Sequence, residues 1–153
     1  MSPLKTEPTP DQQDEIARAM FSETEIKISV VLSPDEPELF SSESQAEIAN
    51  VGSAFRDEGI EAHATSVGFY IGGGGYFGDF IIQAAQIGVP AIAGIAGAWL
   101  HGRLGRKVKV EFYADGKPKR IEAQTTEQVN SLIETARREA LKSAKNPAKK
   151  PSK

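Results

Sequence analysis

Polar and apolar positions alternate or recur in short, well-separated runs along the chain. Between Asp11 and Phe21, Ile16, Ala17, Met20 and Phe21 fall at helical spacing behind an acidic first turn, which predicts a short helix. Ile26, Ile28, Val30 and Leu32 then alternate with Lys27 and Ser29 until Ser33-Pro34-Asp35 stops the run, which predicts a first strand. The segment Ser42 to Glu58 opens with Ser42 and Gln45 in capping-box spacing, sets Ile48, Val51 and Phe55 on one face, and meets Gly59, a natural residue just past a helix end. Ala62, Ala64, Val67, Phe69 and Ile71 predict a second strand. It carries no charge after Glu61 and is therefore expected inside a sheet. A glycine-rich turn from Gly72 to Gly78 follows it.

Phe80 to Leu100 is 21 residues without a charge. As one helix it would reach about 30 Å, the thickness of a bilayer's hydrocarbon core, so a membrane span is a genuine alternative. Basic residues follow it closely, as the positive-inside pattern asks. Its composition argues the other way, because glycine, alanine, glutamine and proline make insertion marginal. The pattern also has a face: Ile81, Ala85, Gly88, Ile92, Ile95 and Trp99 on one side, with Gln83, Gln86, Pro90, Gly94, Gly97 and His101 on the other. The expected element is therefore a long core helix, kinked or split at Gly88-Val89-Pro90 because proline removes a backbone donor.

From Lys107 the period returns to two. Val108, Val110 and Phe112 face one way, Asp115-Gly116 turns the chain, and Ile121 and Ala123 lead back, the clearest hairpin signal present. Thr125 or Thr126 then caps a last helix whose apolar stripe is Val129, Leu132, Ile133, Ala136 and Ala140. The order predicts an α+β domain over residues 11–145, a mixed four-stranded sheet with helices packed over it. The proline-bearing ends, 1–10 and 146–153, are expected to be disordered tails.

Composition narrows the chemistry. The chain has 153 residues and no cysteine, which removes disulfides, thiol nucleophiles and cysteine-held metal. His63 and His101 are the two histidines, and neither has an acid or a second ligand at useful spacing. No catalytic, metal or cofactor site is therefore expected. Gly73, Gly75 and Gly78 fit G-x-G-x-x-G, but no acid lies about 20 positions on and Asp79 would repel a pyrophosphate, so a nucleotide site ranks last among the readings. A net charge of -3 conceals two unequal parts: residues 1–79 hold 15 acids and 4 bases, residues 80–153 hold 6 acids and 14 bases. That asymmetry favours internal complementarity or association with a protein over binding to nucleic acid. Arg103, Arg106, Lys107 and Lys109 form a candidate basic patch. With no apolar leader preceding the acidic start, a cytoplasmic location is expected, with membrane association as the alternative.

The run Ala98-Trp99-Leu100-His101-Gly102-Arg103, the basic strand Arg106-Lys107-Val108-Lys109-Val110, the Asp115-Gly116 turn and the return Arg120-Ile121-Glu122-Ala123 resemble the effector-associated constant component family of bacterial conflict systems. The resemblance implies a small α+β domain that serves as a non-catalytic accessory to separate effector proteins. It carries over no functional residues. The residues themselves point to an interaction module, with Gln83, Gln86, Gly94, Gly97 and His101 as the candidate contact face for a second copy or a partner protein.

Overall fold

The computed structural model describes residues 9–66 and 75–145. Its elements run α1 (Pro10–Met20), β1 (Glu25–Val31), α2 (Ser42–Asp57), β2 (His63–Ser66), β3 (Tyr76–Gln83), a 3-10 turn at Ala84–Gln86, α3 (Val89–Gly102), β4 (Lys107–Ala114), β5 (Lys117–Ala123) and α4 (Thr126–Lys145). The strands form one sheet in the order β2-β3-β1-β4-β5, every neighbouring pair antiparallel. The architecture is α+β, as expected, but the sheet has five strands where four were anticipated, and it is antiparallel rather than mixed.

The additional strand is β3, which takes the first part of the uncharged stretch. Phe80 and Ile82 point into the main core while Ile81 is buried on the opposite face, so both faces are apolar and the two-residue period does not show. Pairing with β1 from Glu25↔Gln83 to Ser29↔Asp79 fixes the segment as a strand. Asp79 is thus a strand residue whose carboxylate lies 3.9 Å from the Lys27 ammonium. The expected long core helix does not form: only Val89–Gly102 is α-helical, with Pro90 in its first turn, where a missing N–H is harmless. At 14 residues α3 is too short for a span, and among the described residues no helix is long and apolar enough to cross a membrane.

Two other expectations change. β2 lies at the sheet edge, not its interior; the remainder of that predicted strand and Gly72 to Gly74 fall outside the described residues. The cap of α2 is Ser41, whose hydroxyl accepts from the Ser44 amide at 3.2 Å. Gln45 is released for another task. Its side chain accepts from Tyr76 N at 2.8 Å and donates to the carbonyls of Tyr76 and Leu39, clamping the start of β3 against α2.

Helices α2, α3 and α4 cover one face of the sheet, where Ile26, Ile28, Val108, Val110, Val129 and Ile133 are fully buried. Thr125 caps α4 by accepting from Gln128 N at 3.1 Å, while the Gln128 side chain accepts from Gln124 N and Thr125 N. Thr126 lies beside Gly97 and His101, and Arg137 and Leu141 lie beside Gly88 to Pro90, so α4 runs antiparallel to α3. The small α1 covers part of the other face with Ala17 and Phe21 against Ile81 and Tyr113. Phe21 accepts a hydrogen bond from the Tyr113 hydroxyl at 3.2 Å, and burial raises the Tyr113 pKa.

Candidate interaction surface

The run from Trp99 to Lys107 builds a polar knot that fixes the end of α3. Trp99 is 3% exposed, and its indole N–H is shared between the carbonyls of Val31, at 3.3 Å, and Lys107, at 3.1 Å. That one donor ties α3 to the end of β1 and the beginning of β4. The Arg106 guanidinium stacks on the same ring, 3.8 Å from its centroid. It grips Glu36 in a fork, Nε to one carboxylate oxygen at 2.9 Å and Nη2 to the other at 2.7 Å, and donates Nη1 to the Trp99 carbonyl. Both charged side chains are nearly dry, 4% exposed for Arg106 and 3% for Glu36. The Arg106 hydrogen bond holds the Glu36 carboxyl below the usual carboxylate range, against the opposing effect of burial, and Glu36 in turn raises Arg106. Gly102 is required here, since a Cβ at that position would sit 2.7 Å from Arg106 Nη1.

Above this knot, α2 and α3 diverge enough to leave an open groove of about 460 Å³. Val51 and half-buried Ala54 on α2 and half-buried Ala91 and Ile95 on α3 form its floor. The α3 rim is small and uncharged, with exposed Gly94, Ala98 and Gly102 at spacings of four. The α2 rim is polar and acidic, carrying Glu47, Asn50 and Glu58. Trp99 and Arg106 close one end, where Glu47 reaches Arg106 Nη2 at 3.3 Å. Helix α3 thus lies between α2 and α4, in close contact with α4 at Gly97 and open along its α2 side, while a further cavity of about 690 Å³ separates its first turn from Arg137, Arg138 and Leu141 of α4.

Of the five residues expected to share a contact face, only Gly94 lines this groove. Gly97 faces α4, where a Cβ would stand 3.2 Å from Thr126 Oγ1 and 3.3 Å from Thr126 Cγ2. His101 lies 3.2 Å from that same hydroxyl. Gln83 ends β3 and donates to Glu25 at 3.0 Å, and Gln86 accepts from the Glu61 amide at 2.9 Å, so both glutamines are used locally. Because the segment is a strand, a turn and then a helix, a single helical wheel misplaces them.

The basic patch is likewise dispersed. Arg106 is buried in the knot and offers nothing to a ligand. Arg103 is half exposed, 3.9 Å from Glu36, and Lys107 pairs with Glu122 at 3.7 Å. Lys109 projects from the sheet face that the three larger helices leave uncovered, beside Ser29, Lys27 and Glu111. The oppositely charged parts of the sequence meet inside the molecule in Arg106–Glu36, Arg120–Asp14 and Arg103–Glu36. The α2 wall of the groove was not anticipated. Its signal was the outward row Glu47, Asn50, Ala54, Glu58, recognisable only once the neighbour of α2 was known.

Gly94 and Gly97 should respond in opposite ways to added volume. A Cβ at Gly94 meets nothing within 4 Å, so Gly94→Ala is expected to stabilise the helix by about 0.5–1 kcal/mol. Gly97→Leu should cost about 1–3 kcal/mol by forcing α4 outward. Urea unfolding of both variants reads the contrast, and equal effects would contradict the α3–α4 contact.

Among the described residues no group of three or more His, Asp or Glu side chains is placed to hold a metal ion. Gly75 and Gly78 lead into and lie within β3, so no helix N-terminus follows them to receive a phosphate. No protein-family model, curated protein or solved structure matches the chain.

Proposed function

We propose that the protein is a non-catalytic interaction module that presents the α2–α3 groove to a partner, in the manner of the accessory components its sequence resembles in bacterial conflict systems. The observation that carries this reading is the apolar strip that α3 leaves open toward α2. Gly97 packs on Thr126 of α4, whereas the α2 side leaves Gly94, Ala98 and half-buried Ile95 open to solvent; the cavity of about 690 Å³ between the start of α3 and α4 is rimmed instead by the charged Glu134, Arg137 and Arg138. An uncharged, concave apolar strip with a polar rim has the anatomy of a protein contact surface. The rigid knot beneath it holds that surface in one shape, which limits the entropy lost on binding.

The test is Gly94→Leu. A Cβ at position 94 meets nothing within 4 Å and the open groove has room for the rest of the leucine, so helicity and melting temperature should match or exceed those of the parent while assembly is lost. Light scattering with circular dichroism, on the chain alone and with candidate effector proteins, measures both. A folded variant that still assembles like the parent removes the groove from the interface.

A further inference from the structure

The chemistry of the groove specifies its occupant, provided that the groove is the contact surface proposed above. We infer that the partner segment is an amphipathic basic helix of about three turns, small or apolar on one face and carrying Lys or Arg at both ends of that face.

The backbone comes first. Both walls are helices whose amides and carbonyls are satisfied internally, so the groove offers an extended strand no ladder of donors and acceptors. A helix needs none. Gly94, Ala98 and Gly102 leave the α3 rim low, which lets a helix axis approach to about 8 Å.

Charge supplies the rest. The α2 rim carries Glu47 and Glu58, whereas the α3 rim from Val89 to Gly102 holds no Asp, Glu, Lys or Arg, so α3 offers them no cation and, among the described residues, the one basic side chain lining the groove is Arg106, at the Glu47 end. Arg106 touches Glu47 while its fork holds Glu36, which Arg103 also approaches at 3.9 Å, so the half-exposed Glu47 carboxylate is matched only in part and Glu58 carries the stronger demand for a cation. Glu58 has no ion-pair partner among the described residues. The two glutamates are eleven positions apart, roughly 16 Å along the helix at ~1.5 Å per residue, which is the span of three turns in a docked helix. The chain's own helices do not supply this ligand: Val129, Ile133, Ala136 and Ala140 of α4 are fully buried, and Ala17 of α1 is packed against the sheet. Among the described residues no helix is free to fill the groove, so the occupant assigned here is a helix of another protein.

The experiment uses the full-length chain and two fluorescein-labelled, acetylated and amidated 16-residue peptides of Ala, Leu and Gln, one with Lys and the other with Glu at positions 3 and 14. Fluorescence anisotropy at low salt should show the Lys peptide binding about tenfold more tightly than the Glu peptide, a preference that shrinks as salt is added. Glu58→Lys, chosen because Glu58 takes no part in the knot, should reduce or reverse the preference. Gly94→Leu should weaken the Lys peptide at least about tenfold with no loss of melting temperature. Equal binding of the two peptides, no binding of either, or a preference unmoved by Glu58→Lys would overturn the basic-helix assignment. If Gly94→Leu still abolishes assembly in that case, the groove remains the contact surface. If it changes neither peptide binding nor assembly, both readings fall together.

Discussion

Arg106→Ala should destabilise the fold by about 3–5 kcal/mol, the cost of leaving one member of a buried pair without the other. The variant leaves the Glu36 carboxylate with the Ser33 amide and the more distant Arg103, 3.9 Å away, removes a donor from the Trp99 carbonyl and uncovers the face of the indole. Arg106→Lys retains the charge but neither the fork nor the stacking, so it should recover only part of the loss. The effect depends on pH in a defined direction. Arg106 lowers the folded-state pKa of Glu36, so its contribution is complete above the ordinary glutamate pKa of ~4.3 and declines as pH falls through the lower folded value. Urea unfolding near neutral pH and again in acid should therefore show the gap between parent and Arg106→Ala narrowing as acid is added. A constant or widening gap would mean that the pair does not stabilise the charged carboxylate.

Trp99→Ala should cost a similar ~3–5 kcal/mol, for a different physical reason. The indole fills space under α3 and its N–H joins the carbonyls of Val31 and Lys107, so truncation opens a cavity and leaves both acceptors short of a donor. Tryptophan fluorescence offers a direct check, because Trp99 is the chain's single tryptophan. The native protein should emit at short wavelength and shift red on unfolding. The guanidinium sits on the ring, so the double variant Trp99→Ala/Arg106→Ala should lose less than the two single losses combined. Strict additivity would show that the stacking contributes nothing.

Much of the fold was legible because residue chemistry alternates even where burial does not. Ile26, Ile28 and Val30 alternate with Lys27 and Ser29, which are polar although they too are buried, and the Val129, Ile133, Ala136 stripe of α4 recurs at helical spacing. The stretch from Phe80 to Gln83 was not legible, because α1 buries Ile81 on the far face and erases the alternation that marks a strand. Hydrophobicity in that run reflects two layers of neighbours, which no local period can reveal. The same limit applies to the site. Gly94 lies open on an uncharged helix face, yet Gly97 carries an identical local signal and faces Thr126. Which glycine a neighbouring helix covers is set by the docking angle of α4. Arg106, similarly, reads in sequence as one of four surface cations; only the approach of Glu36, seventy positions earlier, takes it out of solvent. The acidic rim of α2 lines a groove through its packing beside α3, not through any motif of its own.

The absence of cysteine allows the central claim to be tested by one measurement, since Gly94→Cys introduces a unique thiol into open space. A photocrosslinker attached there, and at Lys119→Cys on exposed β5 as the control position, would be activated in cells that naturally make the chain and its products identified by mass spectrometry. The groove reading predicts one defined protein product from position 94 that is missing from position 119, with the crosslinked residue lying in a helix of the partner. Identical products from the two positions, or none from position 94 while the protein elutes in a larger complex, would contradict it.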